Sequence, residues 1–139
     1  MNKRRFRRHS NQASRQGAAA VEFAVVAPLM ILLTMGMMEI GRVVMVQQLL
    51  VNASREGARL AVLPGIEEVE VQNQVIDDLE SMAIMGATVL VTNDPNAAGG
   101  SSVTVDISIP AQDISWVPNP AFTLDKVLHA STTMRHEGQ

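Results

Sequence analysis

A chain of 139 residues has room for one small globular domain, and its 11 basic and 14 acidic residues give a formal net charge of −3. It has no cysteine, which excludes disulfides, thiol catalysis, lipoprotein anchoring and cysteine-based zinc sites. Six of the 11 basic residues precede Ala18 and no acidic residue does, so residues 18–139 carry a formal charge of −9. Nucleic-acid binding needs clustered Lys and Arg, which makes this acidic part a poor candidate for it.

Residues 1–17 are basic and polar, without hydrophobic periodicity, and we predict a disordered cytoplasmic leader. Lys and Arg beside a membrane segment stay on the cytoplasmic side, so the rest of the chain is expected to face outward. An RNA- or lipid-binding tail is the alternative for a basic arm. The apolar run comes directly after residues 1–17. It therefore favours the interpretation of this basic segment as a signal for membrane topology.

Residues 18–63 predict one long helix whose first half crosses a membrane. No charged residue occurs in residues 23–38, and residues 18–38 supply the roughly 20 positions that a span requires. Glu22 needs a partner or a place at the interface, because a carboxylate in lipid is costly. A cleaved secretory signal is the rival interpretation, but Glu22 would interrupt its apolar region and no clear small-x-small site precedes Glu39.

The second half of the long helix is predicted to be amphipathic. Glu39 and Arg42 are spaced i, i+3 and are expected to form an ion pair just outside the lipid or within an assembly. Beyond them, small and apolar residues recur every three or four positions and form a stripe. This stripe is expected to pack on the chain's own C-terminal domain, on another subunit, or on both at different levels of the helix. Its members are Val43, Val46, Leu50, Ala53, Gly57 and Leu60.

The start of the long helix resembles the cleavage region of type IV-like prepilins. The basic leader ends at Gly17, and Ala18-Ala19-Ala20-Val21-Glu22-Phe23 opens the apolar run. In such proteins a prepilin peptidase cuts after the glycine, and a glutamate stands fifth in the mature chain, the place that Glu22 takes here. The glutamate-aromatic pair Glu22-Phe23 is typical of the tight-adherence (Tad) pilus subfamily.

Two further segments are similar to TadE-like proteins, which are minor components of that pilus. They are Met38-Glu39-Ile40-Gly41-Arg42 and Asn52-Ala53-Ser54-Arg55-Glu56-Gly57-Ala58-Arg59. The resemblance implies an inner-membrane prepilin cut between Gly17 and Ala18, whose Glu22 pairs with the new amine of Ala18 on a neighbouring chain. The partners it implies are prepilin peptidase, a major pilin, TadF-like and TadG-like proteins, the assembly platform and membrane lipid.

Residues 64–139 predict a small extracytoplasmic domain. Pro64-Gly65 ends the long helix, and residues 66–85 form a second helix with one apolar and one acidic face. The apolar face is expected to hold Ile66, Val69, Val75 or Ile76, Leu79, Met82 and Met85.

Three strands are expected after this helix. Residues 87–92 and 103–109 are β-rich and flank a loop of Gly, Asn and Pro, which predicts a hairpin. Residues 124–134 give the third strand, following an irregular stretch that Trp116 anchors. The fold class is therefore α+β, with a long, partly transmembrane helix, a second amphipathic helix and a small antiparallel sheet, a reduced version of the pilin plan.

No catalytic or metal-binding constellation is visible in the sequence. His9, His129 and His136 are scattered, and no phosphate loop, nucleophile elbow or His-x-x-x-His pair occurs. The acidic helix face and the loop at residues 93–102 are better explained as solvated surface than as cation sites. We therefore expect no enzyme and no cofactor. An unprocessed bitopic scaffold or sensor with a small periplasmic domain is the alternative function, and a membrane-anchored exported enzyme lacks a supporting residue set.

Overall fold

The computed structural model describes residues 10–97, 100–115 and 126–135. The elements are α1 (Ser10–Ala61), α2 (Glu68–Ser81), β1 (Thr88–Asp94), β2 (Ser102–Pro110), α3 (Ala111–Ile114) and β3 (Val127–Arg135). The predicted α+β plan, with a long N-terminal helix and a three-stranded antiparallel sheet, is confirmed. The chain divides into two compact units, residues 1–38 and 39–139, and α1 contributes residues to both.

Helix α1 begins at Ser10, so the helix start predicted at Ala18 and the disorder predicted for residues 10–17 are wrong. Residues 10–16 contain Gln, Ala and Arg and no proline, and a helix already formed by the apolar run extends into such a sequence at little cost. The helix ends at Ala61 rather than Leu63. The division at Gly17 into leader and mature chain concerns processing and stays a prediction, and residues 1–9 lie outside the described residues.

In the first unit, the apolar side chains of α1 are exposed. Phe23 is 73 % exposed and Leu32 is 68 % exposed. Pro28 lies inside the helix without ending it. Among the described residues, the segment Gly17–Ala61 is the one helix long and apolar enough to cross a membrane. These features are those of a single-pass membrane anchor.

The second unit is built on a sheet of order β1-β2-β3, antiparallel throughout. Val105 at the centre of β2 faces Val91 of β1 and Thr132 of β3. Alternation along the strands places apolar side chains on one face, as period two requires. The buried members of this face are Val89, Val91, Val103, Val105, Ile107, Ile109, Leu128 and Ala130.

Helices α1 and α2 complete the core of the second unit. The stripe predicted on α1 belongs to the same core as the sheet, so packing on the chain's own domain is confirmed. Val46, Leu50 and Gly57 are buried, whereas Val43, Ala53 and Leu60 are partly buried. Ser54 and Ala58 join them as fully buried residues of α1.

Helix α2 is shorter than predicted and buries a different set of side chains. Its buried residues are Val71, Val75 and Leu79, spaced four apart on one face. Val69 and Met82 were expected on that face, but they are 61 % and 50 % exposed. Val69 lies within the helix but two residues before Val71, which puts it about 200° around the axis on the opposite side. Met82 is the cap residue beyond the last helical turn.

Met85 is the third residue wrongly expected on the apolar face of this helix, and it is 69 % exposed. It lies beyond the helix, after Ala83, whose φ of 60° turns the chain out of the helical path. Ile84 is buried instead of its neighbour.

The stretch after β2 starts with the short helix α3, where the sequence predicted irregular structure. Ala111 and Ile114 of α3 are buried. The predicted anchor Trp116 lies outside the described residues, as does His136.

Candidate assembly segment on helix α1

The predicted cleavage region lies within α1. Gly17 and Ala18 are helical and exposed, and a Cβ built on Gly17 would have no neighbouring heavy atom within 4 Å. Glu22 follows Ala18 by one helical turn and is also exposed, with no ion pair to any other described residue. Phe23 is exposed beside it. All four residues are therefore exposed in this part of α1.

Glu39 and Arg42 lie where the apolar run ends, and their side chains have different surroundings. The guanidinium of Arg42 donates its Nε–H to the carbonyl oxygen of Ile114, the last residue of α3. Oε1 of Glu39 is buried and has no hydrogen-bond partner among the described residues. Arg42 thus ties α1 to α3. The predicted ion pair of Glu39 with Arg42 stays a prediction for the assembled protein. Gly41 between them is exposed, with open space around its Cα.

The second motif, residues 52–59, divides into two faces. Ser54, Gly57 and Ala58 are buried against the core of the second unit. The opposite face carries exposed charges, and Nη1 of Arg59 lies 3.7 Å from Oε2 of Glu56. Exposed ion pairs of this kind contribute little to stability. The remaining exposed members of the motif are Asn52 and Arg55.

Gly57 is the point of closest approach on the buried face. A Cβ at this position would stand 2.7 Å from Cγ2 of Val75 on α2 and 3.4 Å from Cγ1 of Val105 on β2. Any side chain here would overlap the core. Gly57 therefore serves the fold of the chain's own domain.

A polar link between α1 and β3 was not predicted. The hydroxyl of Ser54 forms a hydrogen bond of 2.8 Å with Oγ1 of Thr132, in which either oxygen can be the donor. The same hydroxyl also lies 3.0 Å from the carbonyl oxygen of Val51, to which it can donate. Nε2 of Gln47 donates a hydrogen bond of 2.9 Å to the carbonyl oxygen of His129. This bond gives a partner to a backbone carbonyl of the edge strand β3. The position of Ser54, four residues after Leu50 and four before Ala58, is the sequence signal that would have found it.

Groups of three or more acidic or histidine side chains that could hold a metal ion do not occur among the residues described. His129 Nε2 lies 3.4 Å from Oδ1 of Asp106 on the exposed face of the sheet. In the strand register Ser108 stands opposite His129, and Ser131 stands opposite Asp106.

The comparisons with known proteins add one finding. A family model described as TadE-like protein matches residues 17–59, which begin at Gly17 and include both sequence motifs. Residues 60–139 lie outside this match. No curated protein matches the chain, and no solved structure matches it. Over residues 17–59 the chain is therefore similar to TadE-like proteins.

Proposed function

We propose that the protein is a minor pilin or pseudopilin of a Tad-type pilus, processed by a prepilin peptidase between Gly17 and Ala18. It acts by assembling rather than by catalysis. The observation that carries the proposal is the TadE-like match over residues 17–59, which supports a Tad pilus-associated protein. Processing, the role within the pilus and its use in adhesion or secretion are the finer parts of the proposal.

The charge pattern around Gly17 supports processing at the cytoplasmic face of the inner membrane. Six basic residues precede Ala18, and the apolar run follows. Positive charge holds the leader in the cytoplasm, which places the second unit in the periplasm. Gly17 lowers the helical stability around the scissile bond by about 1 kcal/mol relative to alanine, and this favours the local opening that a peptidase needs.

Glu22 has a role once the leader is removed. Cleavage creates a cationic amine on Ala18 at the edge of the apolar run, where an unpaired charge is costly. Glu22 is exposed and unpaired among the described residues, so it is available to the amine of a neighbouring chain. The pairing offsets the burial of both charges and sets the register between subunits.

The binding partners of the protein are inferred from the same cleavage region and exposed helix face. The prepilin peptidase acts first, and the mature protein then meets the assembly platform and other pilins, among them a major pilin and TadF-like or TadG-like proteins. The exposed charges Arg55, Glu56 and Arg59 lie on the face of α1 opposite the core of the second unit, which makes them available to these partners.

An unprocessed bitopic scaffold or sensor is the second candidate. The polar link of Ser54 to Thr132 and the contact of Gly57 with Val75 hold the second half of α1 within the core of the second unit, which is compatible with a domain tethered by the first half of the same helix. The two candidate functions differ in whether the peptide bond between Gly17 and Ala18 is cleaved.

The test is the mass of the protein isolated from its native membrane, with and without Gly17→Leu. A mature chain that starts at Ala18 and disappears in the variant supports the pilin. Because a side chain at Gly17 meets no neighbour within 4 Å, the variant alters the cleavage site without disturbing packing. An intact N-terminus in both proteins contradicts the pilin and favours the scaffold.

A further inference from the structure

The sheet of the second unit has two edge strands, β1 and β3, and β3 is protected against pairing with another chain. Edge strands leave a row of backbone N–H and C=O groups outside the sheet, and proteins guard such a row with charged side chains or with contacts from other elements. Gln47 of α1 donates to the carbonyl oxygen of His129 in β3. Lys126 precedes this strand and Arg135 ends it. Strand β3 therefore carries both kinds of protection.

Strand β1 carries neither kind of protection. Residues 81–93 contain no charged side chain, so the first charge of the strand is that of its last residue, Asp94. Within the described part of the chain, the backbone groups of β1 form hydrogen bonds with β2 and with no other element. Leu90 at the centre of β1 is 56 % exposed. An extended segment of another chain can form hydrogen bonds with such an edge and continue the sheet.

Helix α2 is the helix nearest to the open edge of β1. Gly57 of α1 approaches Val105 of β2 on one side and Val75 of α2 on the other. Ser54 of α1 forms a hydrogen bond with Thr132 of β3. Helix α1 therefore covers β2 and β3, whereas α2 packs on β1. The flank of α2 that faces away from α1 consequently lies over the open edge.

This flank of α2 is uncharged over most of its length. Gln74 is on the side of α2 that faces α1, because it lines a small cavity together with Leu60. Ile76 lies about 200° around the helix axis from Gln74 and is therefore on the opposite flank. Val69 and Gln72 lie within about 40° of Ile76, and Val69 is 61 % exposed. We call Val69, Gln72, Ile76 and the outer edge of β1 together the β1 groove.

Carboxylates stand at both ends of the β1 groove. Glu68 and Glu80 are exposed in the first and last turns of α2, and Asp94 ends β1. No Lys, Arg or His occurs in residues 60–125, so sequence neighbours do not offset these charges. An uncharged centre between acidic ends is complementary to a segment whose apolar middle is flanked by Lys or Arg. A second copy of the chain fits less well, because residues 18–139 carry a formal charge of −9.

We propose that an extended segment of a partner protein, with apolar residues at alternate positions and Lys or Arg at its ends, adds to β1 as a fourth strand. Side chains on one face of the added strand contact Val69 and Ile76, and those on the other face contact Leu90. Backbone hydrogen bonds supply affinity, and the side-chain contacts select the partner. The β1 groove lies wholly within the second unit, so this binding goes beyond the proposed function and does not depend on cleavage at Gly17.

The test uses the full chain in detergent micelles and a blocked peptide in which Val and Thr alternate between flanking lysines. Calorimetric titration measures the affinity. Bound peptide is expected to slow amide hydrogen exchange in β1 about tenfold or more without slowing it in β3. A peptide methylated at alternate backbone nitrogens lacks the strand donors and is expected to bind about tenfold more weakly or worse. Glutamates in place of the lysines are expected to weaken binding about threefold or more at low salt.

Val69→Lys is expected to weaken binding of the lysine-flanked peptide about tenfold or more, because it removes an apolar contact and repels the lysines. The matched control is Val127→Lys, since Val127 of β3 is 62 % exposed and Val69 is 61 % exposed. Equal affinities of the two variants overturn the proposal. It is also overturned by absence of binding, by protection of β3 in place of β1, or by equal binding of the methylated peptide.

A second copy of the chain is the competing occupant. Sedimentation of the full chain without peptide, over a range of concentrations, separates the two. A chain that stays monomeric and binds the peptide supports a different partner. Dimers that form in the wild type and in Val127→Lys, but not in Val69→Lys, show that a second copy fills the β1 groove and overturn the proposal.

Discussion

Gly57 and Val75 are in contact at the centre of the second unit, with 2.7 Å between Cγ2 of Val75 and the place where a Cβ on Gly57 would lie. Gly57 belongs to the TadE-like segment, whereas Val75 lies beyond it on α2. The C-terminal part of the TadE-like segment therefore packs directly on residues that the family model does not match. Loss of this contact would separate α1 from α2 at this point and leave the apolar run of residues 23–38 unchanged.

Gly57→Ala is expected to destabilise the second unit. A methyl group at this position costs about 1–3 kcal/mol in overpacking, and alanine returns about 1 kcal/mol of helix propensity. Val75 is β-branched and stiff, so its methyl group does not move aside freely. The net loss is about 1 kcal/mol, and Gly57→Leu loses more. The measurement is urea unfolding of the detergent-solubilised protein, followed by circular dichroism.

Gly41→Ala is the matched control, because Gly41 lies in the same helix and a Cβ built on it would meet nothing within 4 Å. It is expected to be neutral or to stabilise by up to about 1 kcal/mol. Equal stability losses for the two alanine variants would show that α1 is sensitive to any substitution of glycine, and the packing argument would then fail.

Ser54→Ala is expected to cost about 1–2 kcal/mol of unfolding free energy. Ser54 is fully buried, and its hydroxyl lies 2.8 Å from Oγ1 of Thr132, which loses its partner in the variant. Thr133→Ala is the control, since its hydrogen bond with Thr104 has the same length but is exposed. We expect that variant to stay within about 0.5 kcal/mol of the wild type. If Ser54→Ala unfolds no more easily than Thr133→Ala, the link does not stabilise the attachment of α1 to β3.

The sequence predicts the fold where its periodicity is continuous. The alternation of Val103, Val105 and Ile107 identifies β2, and all three are buried. The stripe on α1 likewise identifies Val46 and Leu50. These patterns could be recognised because hydrophobic residues recur without interruption over several turns or strand residues.

The residues that were missed depend on contacts between distant parts of the chain. The spacing of Ser54 from Leu50 and Ala58 indicates its buried face, but its hydrogen-bond partner Thr132 lies 78 residues away on β3. Met85 is apolar but exposed, because Ala83 at a φ of 60° redirects the chain after α2. The carbonyl of Ile114 as the partner of Arg42 lies 72 residues away in sequence, and no local pattern indicates such a pair.

The candidate site residues also differ in whether the sequence alone identifies them. Gly17 and Glu22 are recognised by spacing alone, because they belong to a local sequence pattern that does not depend on internal packing. The motif at residues 52–59 is equally visible, but its division into a buried face with Gly57 and an exposed face with Arg59 required the fold.

Arg55→Glu combined with Arg59→Glu is expected to impair pilus assembly without unfolding the protein. Both side chains are exposed, and the pair of Arg59 with Glu56 spans 3.7 Å on an open surface. The stability change should stay within about 1 kcal/mol, whereas reversed charges repel a complementary partner. The measurements are the thermal midpoint and the amount of protein in sheared pili. Asp77→Lys, exposed on α2 outside the family segment, is the control. Equal pilus content in both variants would exclude this face from assembly.

Glu22→Ala is expected to leave processing intact and to reduce incorporation into the pilus. Glu22 is exposed in α1 one turn after Ala18, so its removal affects no internal contact of the described chain. The amine of Ala18 on a neighbouring subunit then lacks its counter-charge at the edge of the lipid, which lowers assembly by more than about tenfold. The measurements are the mass of the mature chain and the pilus count by electron microscopy. Glu22→Asp keeps the charge and is expected to restore part of the assembly, whereas Glu22→Gln is not. Normal piliation by Glu22→Ala would exclude the pairing, and an uncleaved chain would instead place Glu22 in the peptidase recognition site.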